Sequence, residues 1–238
     1  MVRLLGNLAE RCRVAEVMDG PDLGADQHRR ALRGLARLNF LSRSVAMLWP
    51  RIAALARRLG RPVRVLDIAT GGGDVPLGLW QRAKNSGVQV DILGVDISPC
   101  ALEVARAQAE LAKAALRFTQ LDVLRDELPA DHDIVTCSLF LHHLDEHEVI
   151  PLLGRMAAAA RHTVLVNDLV RSRGRLMLVA AAARLFTRSP VVWTDASLSV
   201  RAAFTVGELA ALAHCAGLRD IRMTRHWSCR MTMEWSRP

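Results

Sequence analysis

The run "VRVLDIATGGGDVPLGLW", residues 63–80, passes from apolar β-branched residues through an acid, Asp67, into Gly71, Gly72 and Gly73. Glycine admits positive φ and lets a ligand approach the backbone. A helix N-terminus just beyond such a turn attracts negative charge. Asp67 opposes a phosphate at that spot and favours a cation, an ammonium or a sulfonium. A dinucleotide would want G-x-G-x-x-G, with the third glycine inside the helix. Counted from Gly71, that position is Pro76, so the pattern fails. A tight turn without a ligand is the plain alternative. More acids close later apolar runs: Asp96 in "GVDIS", Asp122 in "LDV" and Asp168 in "HTVLVND". Two adjacent histidines, His142 and His143, follow another such run in "SLFLHHLDEHE". Histidine takes and gives protons near neutral pH.

These groups can act together only if a frame gathers the ends of their strands. From residue 63 onward, short β-rich runs alternate with amphipathic stretches: "VRVLDI" (63–68), "VDILGVD" (90–96), "LRFTQLD" (116–122), "DIVTCSL" (133–139) and "HTVLVND" (162–168). Helix starts are marked by Ser98-Pro99 and by the capping boxes Asp145/Glu148 and Thr205/Glu208, and Gly217 marks a stop. Two final runs, "LRDIRMTR" and "CRMTMEW", have no helix between them, so one must run antiparallel. The alternation predicts an α/β, doubly wound, Rossmann-like, mostly parallel sheet. Residues 1–60 read as a helical cover. In "SRSVAMLWPRIAALARRLG" the apolar residues recur at helical spacing, and Pro50 is expected to kink or restart the helix. The organisation expected is 1–60 as cover and 61–238 as the main domain, with 169–204 as a lid or acceptor-binding insertion.

Half of the 238 residues are hydrophobic, enough for one sizeable core. The 5 cysteines are scattered without a CxxC pair, which reads as reduced thiols in a cytoplasmic protein. The longest apolar run, "LMLVAAAA", is too short to span a bilayer, so no stable membrane insertion is expected. The net charge is +8, yet the basic residues other than Lys84 and Lys113 are arginines dispersed along the chain, and tyrosine is absent. That argues against nucleic acid as a partner. In "HHLDEHE" neighbouring side chains cannot share a helix face, so no metal is expected.

"VLDIATGGGD" resembles the first motif of the class I S-adenosylmethionine-dependent methyltransferases, with Ala69 where that motif has its first glycine. "GVDIS", "LDV" and "SLFLHHLDEHE" follow it at suitable places across residues 63–168. The resemblance implies seven strands with an antiparallel edge hairpin, and S-adenosylmethionine as cofactor. By the same resemblance, Asp67, Thr70 and the backbone around Ala69, Gly71 and Gly73 hold the methionine end. Asp96 and Ile97 hold the ribose, Asp122 and Val123 the adenine, and Ser138 opens the segment beneath the cofactor. Arg43 could reach the cofactor carboxylate. Asp74 reads as a helix cap.

Transfer from a sulfonium needs alignment, and a hydroxyl acceptor needs a base. His142 and His143 are the candidates, with Asp168 as the other polar group facing the acceptor and Asn167 as its neighbour. Leu176, Val179, Ala180, Ala183 and Phe186 recur at helical spacing and suit lid packing or an apolar acceptor pocket. Arg173, Arg175 and Arg201 could orient an anionic or phenolic group. The expected acceptor is a small apolar molecule, methylated on the oxygen of an aromatic, phenolic or lipid-like metabolite. The alternatives are C-methylation of a quinone-like ring and a catalytically silent cofactor-binding scaffold. A homodimer is compatible with the apolar lid.

Overall fold

The computed structural model describes residues 10–14, 24–41, 43–187, 189–227 and 229–238. Two helices, α1 (Ala25–Leu41) and α2 (Ser44–Leu59), precede the sheet. Then come β1 (Val63–Ile68), α3 (Asp74–Asn85), β2 (Val90–Asp96), α4 (Pro99–Leu111), β3 (Leu116–Gln120) and β4 (His132–Ser138). A 3-10 turn, Leu141–His143, leads to α5 (Glu146–Ala159) and β5 (Ala160–Leu169). The chain closes with α6 (Arg173–Phe186), α7 (Pro190–Ala202), α8 (Val206–Cys215), β6 (Arg222–Arg225) and β7 (Arg230–Ser236).

The sheet has seven strands in the order β3-β2-β1-β4-β5-β7-β6. β7 is antiparallel to both β5 and β6, as the missing helix between the last two runs requires. Strand alternation divides the core in two. Leu66, Ile68, Val164 and Val166 face α5 and α8. Val63, Val65, Ile134 and Leu165 face α2 and α3. The reversal of strand order between β1 and β4 leaves a crevice beyond the carboxyl ends of the strands.

Local signals set the helix starts. Ser98 accepts from the Ala101 amide with Pro99 next in line, and both capping boxes form. Gly217 takes φ 82° just past α8. The break expected at Pro50 does not occur: α2 runs through it unbroken. Trp49, Ile52 and Ala53 are buried on either side, and their packing outweighs the one backbone bond that proline removes. At Arg43, just before α2, the backbone takes φ 61°. Residues 1–9 and 15–23 of the expected cover lie outside the described residues.

Candidate functional site at the carboxyl edge of the sheet

The glycine turn joins β1 to α3 through three left-handed residues: Ala69 (φ 50°), Gly71 (φ 55°) and Gly73 (φ 75°). The Thr70 amide donates to Val95 O at 2.9 Å and the Gly73 amide to Thr70 O at 3.1 Å, which fixes the loop. The two end glycines serve different ends. A Cβ on Gly73 would lie 2.8 Å from Ala105 Cβ, so this position lets α4 approach. A Cβ on Gly71 would meet nothing within 4 Å, so Gly71 faces open space. Ala69 carries the strain of a left-handed L-residue, on the order of 1 kcal/mol.

Asp67 sits beneath this turn rather than on its surface. It is buried, and its carboxylate accepts from Thr136 Oγ1 at 2.6 Å and from Thr70 Oγ1 at 2.7 Å. Burial pushes its pKa up to about 6, against the pull of the two hydroxyls. From beneath the turn it can reach the crevice only through its charge and through Thr70. Asp96 braces the turn from β2: Oδ2 accepts from the Gly71 amide at 2.7 Å and Oδ1 from the Ser98 amide at 2.9 Å. Each carboxylate oxygen has two lone pairs, so a vicinal diol can add to both. Next to it Ile97 is 60% exposed, an apolar face at the crevice rim.

Asp122 Oδ1 accepts from the Leu124 amide at 2.9 Å, and the Val123 side chain is buried in the core. Asp74 is the first residue of α3, but the cap position belongs to Gly73. Arg43 stands exposed in the break between the first two helices.

Across the crevice, His142 is buried and its Nδ1 lies 2.7 Å from Asp168 Oδ1. The His142 amide also donates to Asp168 Oδ2 at 3.1 Å. Burial alone would raise the Asp168 pKa. The nearby His142, the Leu169 amide and Arg230 outweigh burial and hold it below the usual carboxylate range. An ionised carboxylate can only accept, so Nδ1 carries the proton of that bond. The His143 ring lies tilted at 4.3 Å from His142 and stacked at 6.3 Å from Phe140. The His142 ring is oriented by an acid.

Several contacts are invisible to local sequence. Asn39 on α1 donates to Asp74 Oδ2 at 3.0 Å and accepts from Arg230 Nη2 at 3.0 Å, joining the first described helix to α3 and to the last strand. Burial lowers the Arg230 pKa to about 10, opposed by Asp168 and Asp74. The Arg11 guanidinium donates to the carbonyls of Ala202 at 2.5 Å, Leu144 at 2.5 Å and His142 at 3.0 Å, and lies over the Phe204 ring. It ties the histidine turn to the end of α7. Only one signal hinted at any of these. Arg230, Thr232 and Glu234 alternate with apolar residues in the last strand, which puts a cation on the α2 side of the sheet.

In α6 and α7, Ala183 packs with Ala31 and Val192, and Val179 packs against Leu169, Val200 and Ala203. Phe186 is 44% exposed, apart from that packing. The side chains of Leu176, Ala180, Arg173 and Arg175 lie outside the described set, and Arg201 is half-buried. Ser138 and Asn167, register partners at the ends of β4 and β5, carry buried polar atoms that no described group satisfies. Among the described residues no group of three or more His, Cys, Asp or Glu could hold a metal ion.

A family model described as a methyltransferase domain matches residues 65–163. The chain is 41% identical over 129 residues to the demethylmenaquinone methyltransferase of Deinococcus radiodurans, covering 53% of this chain and 52% of that one. It is 31% identical over 131 residues to the ubiquinone/menaquinone biosynthesis C-methyltransferase UbiE of Citrifermentans bemidjiense, covering 54% of this chain and 52% of that one. The matches thus span about half the length of these relatives. Among solved structures, the S-adenosylmethionine-dependent methyltransferase SibL in its apo form superposes with a TM-score of 0.64. At 21% identity, covering 97% of this chain and 65% of that one, SibL shares the fold.

Proposed function

We propose that this chain, whose residues 65–163 match a methyltransferase domain, is a class I S-adenosylmethionine-dependent enzyme that methylates a ring carbon of a small quinone-like molecule in its hydroquinone form. S-adenosylmethionine fits what the crevice offers. Asp96 has acceptor capacity for the two ribose hydroxyls, Ile97 gives an apolar face, and Gly71 leaves open space beside the backbone. Asp67 supplies negative charge below the turn, toward a cationic ligand. Bound there, the cofactor supplies an electrophilic methyl group on a sulfonium.

The observation that carries the reading is the buried His142–Asp168 pair, 2.7 Å apart, at the strand ends across from the glycine turn. Asp168 holds the imidazole in the tautomer whose Nε2 can take a proton from a ring hydroxyl. With that proton on His142, electron density rises on the oxygen and on the neighbouring ring carbon. When that carbon takes the methyl group the ring becomes a dienone; it loses the ring-carbon hydrogen as a proton to water while His142 returns its own proton to the oxygen, which restores the aromatic hydroxyl. For an oxygen acceptor the proton stays on His142 until solvent takes it. The relatives named for demethylmenaquinone and for C-methylation favour carbon over the oxygen expected from sequence alone.

Methyl-labelled cofactor with a panel of hydroquinones and phenols tests this, with product NMR separating ring-carbon from oxygen methyl groups. Ring-carbon product is expected; oxygen-methylated product alone would refute the carbon assignment. His142→Ala should lower kcat by about 10²–10⁴, the usual contribution of a general base, and leave S-adenosylhomocysteine affinity unchanged.

A further inference from the structure

Strand register places two polar side chains where the proposed chemistry needs a second anchor. Asp67 pairs with Thr136 across β1 and β4, and their side chains meet on the α2 face of the sheet. One repeat further toward the carboxyl edge, about 7 Å along the strand, Ser138 pairs with Asn167 across β4 and β5. By alternation, these two share the face of Thr136, Ile134 and Leu165. The first row is fully bonded. In the second, Ser138 Oγ and both polar atoms of the Asn167 amide are buried without a hydrogen-bond partner, and Asn167 is 0% exposed. A buried amide without partners costs roughly 1–3 kcal/mol, so a folded chain retains one where something else completes it.

Resting on the ring-methylation reading, we infer that Asn167, with Ser138, seats a second, uncharged oxygen of the acceptor ring. The location favours acceptor over cofactor. Asp96 and Gly71 hold the nucleoside side on β1 and β2, whereas Ser138 and Asn167 stand on β4 and β5, beside Asp168 and below the turn that carries His142. The chemistry points the same way. Neither side chain is charged. The nearest cation on that face, Arg230, is bonded to Asn39. An amide offers a donor and an acceptor, which matches a hydroxyl or a carbonyl. Asn167 would hold that oxygen and so set which ring carbon lies in line.

Calorimetry with saturating S-adenosylhomocysteine tests the seat without turnover. The probes are tetramethylhydroquinone and 2,3,5,6-tetramethylphenol, which differ only in the second oxygen. The wild-type chain should bind the hydroquinone about tenfold tighter, as one satisfied buried hydrogen bond gives. Asn167→Leu, close to isosteric, should bind both alike, keep its S-adenosylhomocysteine affinity and unfold at a higher temperature when ligand-free. Ser138→Ala should show a smaller loss of the same preference. A retained preference in Asn167→Leu overturns the assignment. So does a loss of S-adenosylhomocysteine affinity, which would move Asn167 to the cofactor, or a lower unfolding temperature, which would make it a packing group. Equal wild-type binding of the two probes overturns the seat and leaves the ring reading standing. No wild-type binding of either probe refutes the ring reading, and the seat with it.

Discussion

Asp67 is an acid held where its charge is costly. Its folded pKa of about 6 lies above the usual 3.8, because burial disfavours the carboxylate more than Thr70 and Thr136 favour it. Between those two values the folded chain binds more protons than the unfolded one, so stability falls as pH rises through that window and stays low above it. The cost above pH 6 is on the order of 3 kcal/mol. Asp67→Asn should therefore unfold at a higher temperature than wild type at pH 8, and the advantage should vanish near pH 4. The same charge should draw a sulfonium: S-adenosylmethionine affinity should weaken as pH falls from 7.5 to 5, with proton release on binding visible as buffer-dependent heat. A pH-independent affinity would detach Asp67 from the cofactor.

At the scale of elements, the α2–α3 contact turns on Gly78. A Cβ there would lie 2.5 Å from Val45 Cγ2. Helix propensity favours alanine over glycine by about 1 kcal/mol, but overpacking costs about 1–3 kcal/mol. Gly78→Ala should thus lower stability in the wild-type background and raise it in a Val45→Ala background, measured by urea unfolding. The elements themselves were largely legible in the chain. Capping boxes at Asp145 and Thr205, proline after Ser98 and the alternating runs from Val63 onward are local signals, and the helices and strands obey them. Pro50 misled because tertiary burial of Trp49 and Ile52 overrides a local penalty. In the candidate site the sequence named His142, His143 and Asp168 separately; that Asp168 pairs with His142 is a contact only the fold supplies. The Asn39–Arg230 bond spans 191 positions, and no local pattern joins residues that far apart.

At the scale of the whole molecule, the two edges of the sheet do different work. The end opposite the crevice is closed by Arg61, whose guanidinium grips buried Asp133 in a fork at 2.7 and 2.8 Å, while the Arg64 amide donates to the same carboxylate at 2.9 Å. Removing one partner of such a pair strands a buried charge, at a cost of about 2–4 kcal/mol. Arg61→Ala should lower the unfolding free energy by that amount and leave S-adenosylhomocysteine affinity unchanged, which calorimetry on the folded variant checks. Lost affinity at full folding would mean that the two edges are coupled.

Helix α1 lies between two neighbourhoods at once. Leu32 approaches the glycine turn at Gly72, and Gly34 lets the helix press on Val192 and Thr187 at the far side, while Asn39 pins it to both flanks. One helix thus buttresses the glycine turn, the end of α6, the start of α7 and the last strand at once, so a shift of any of these supports must be borne by the others.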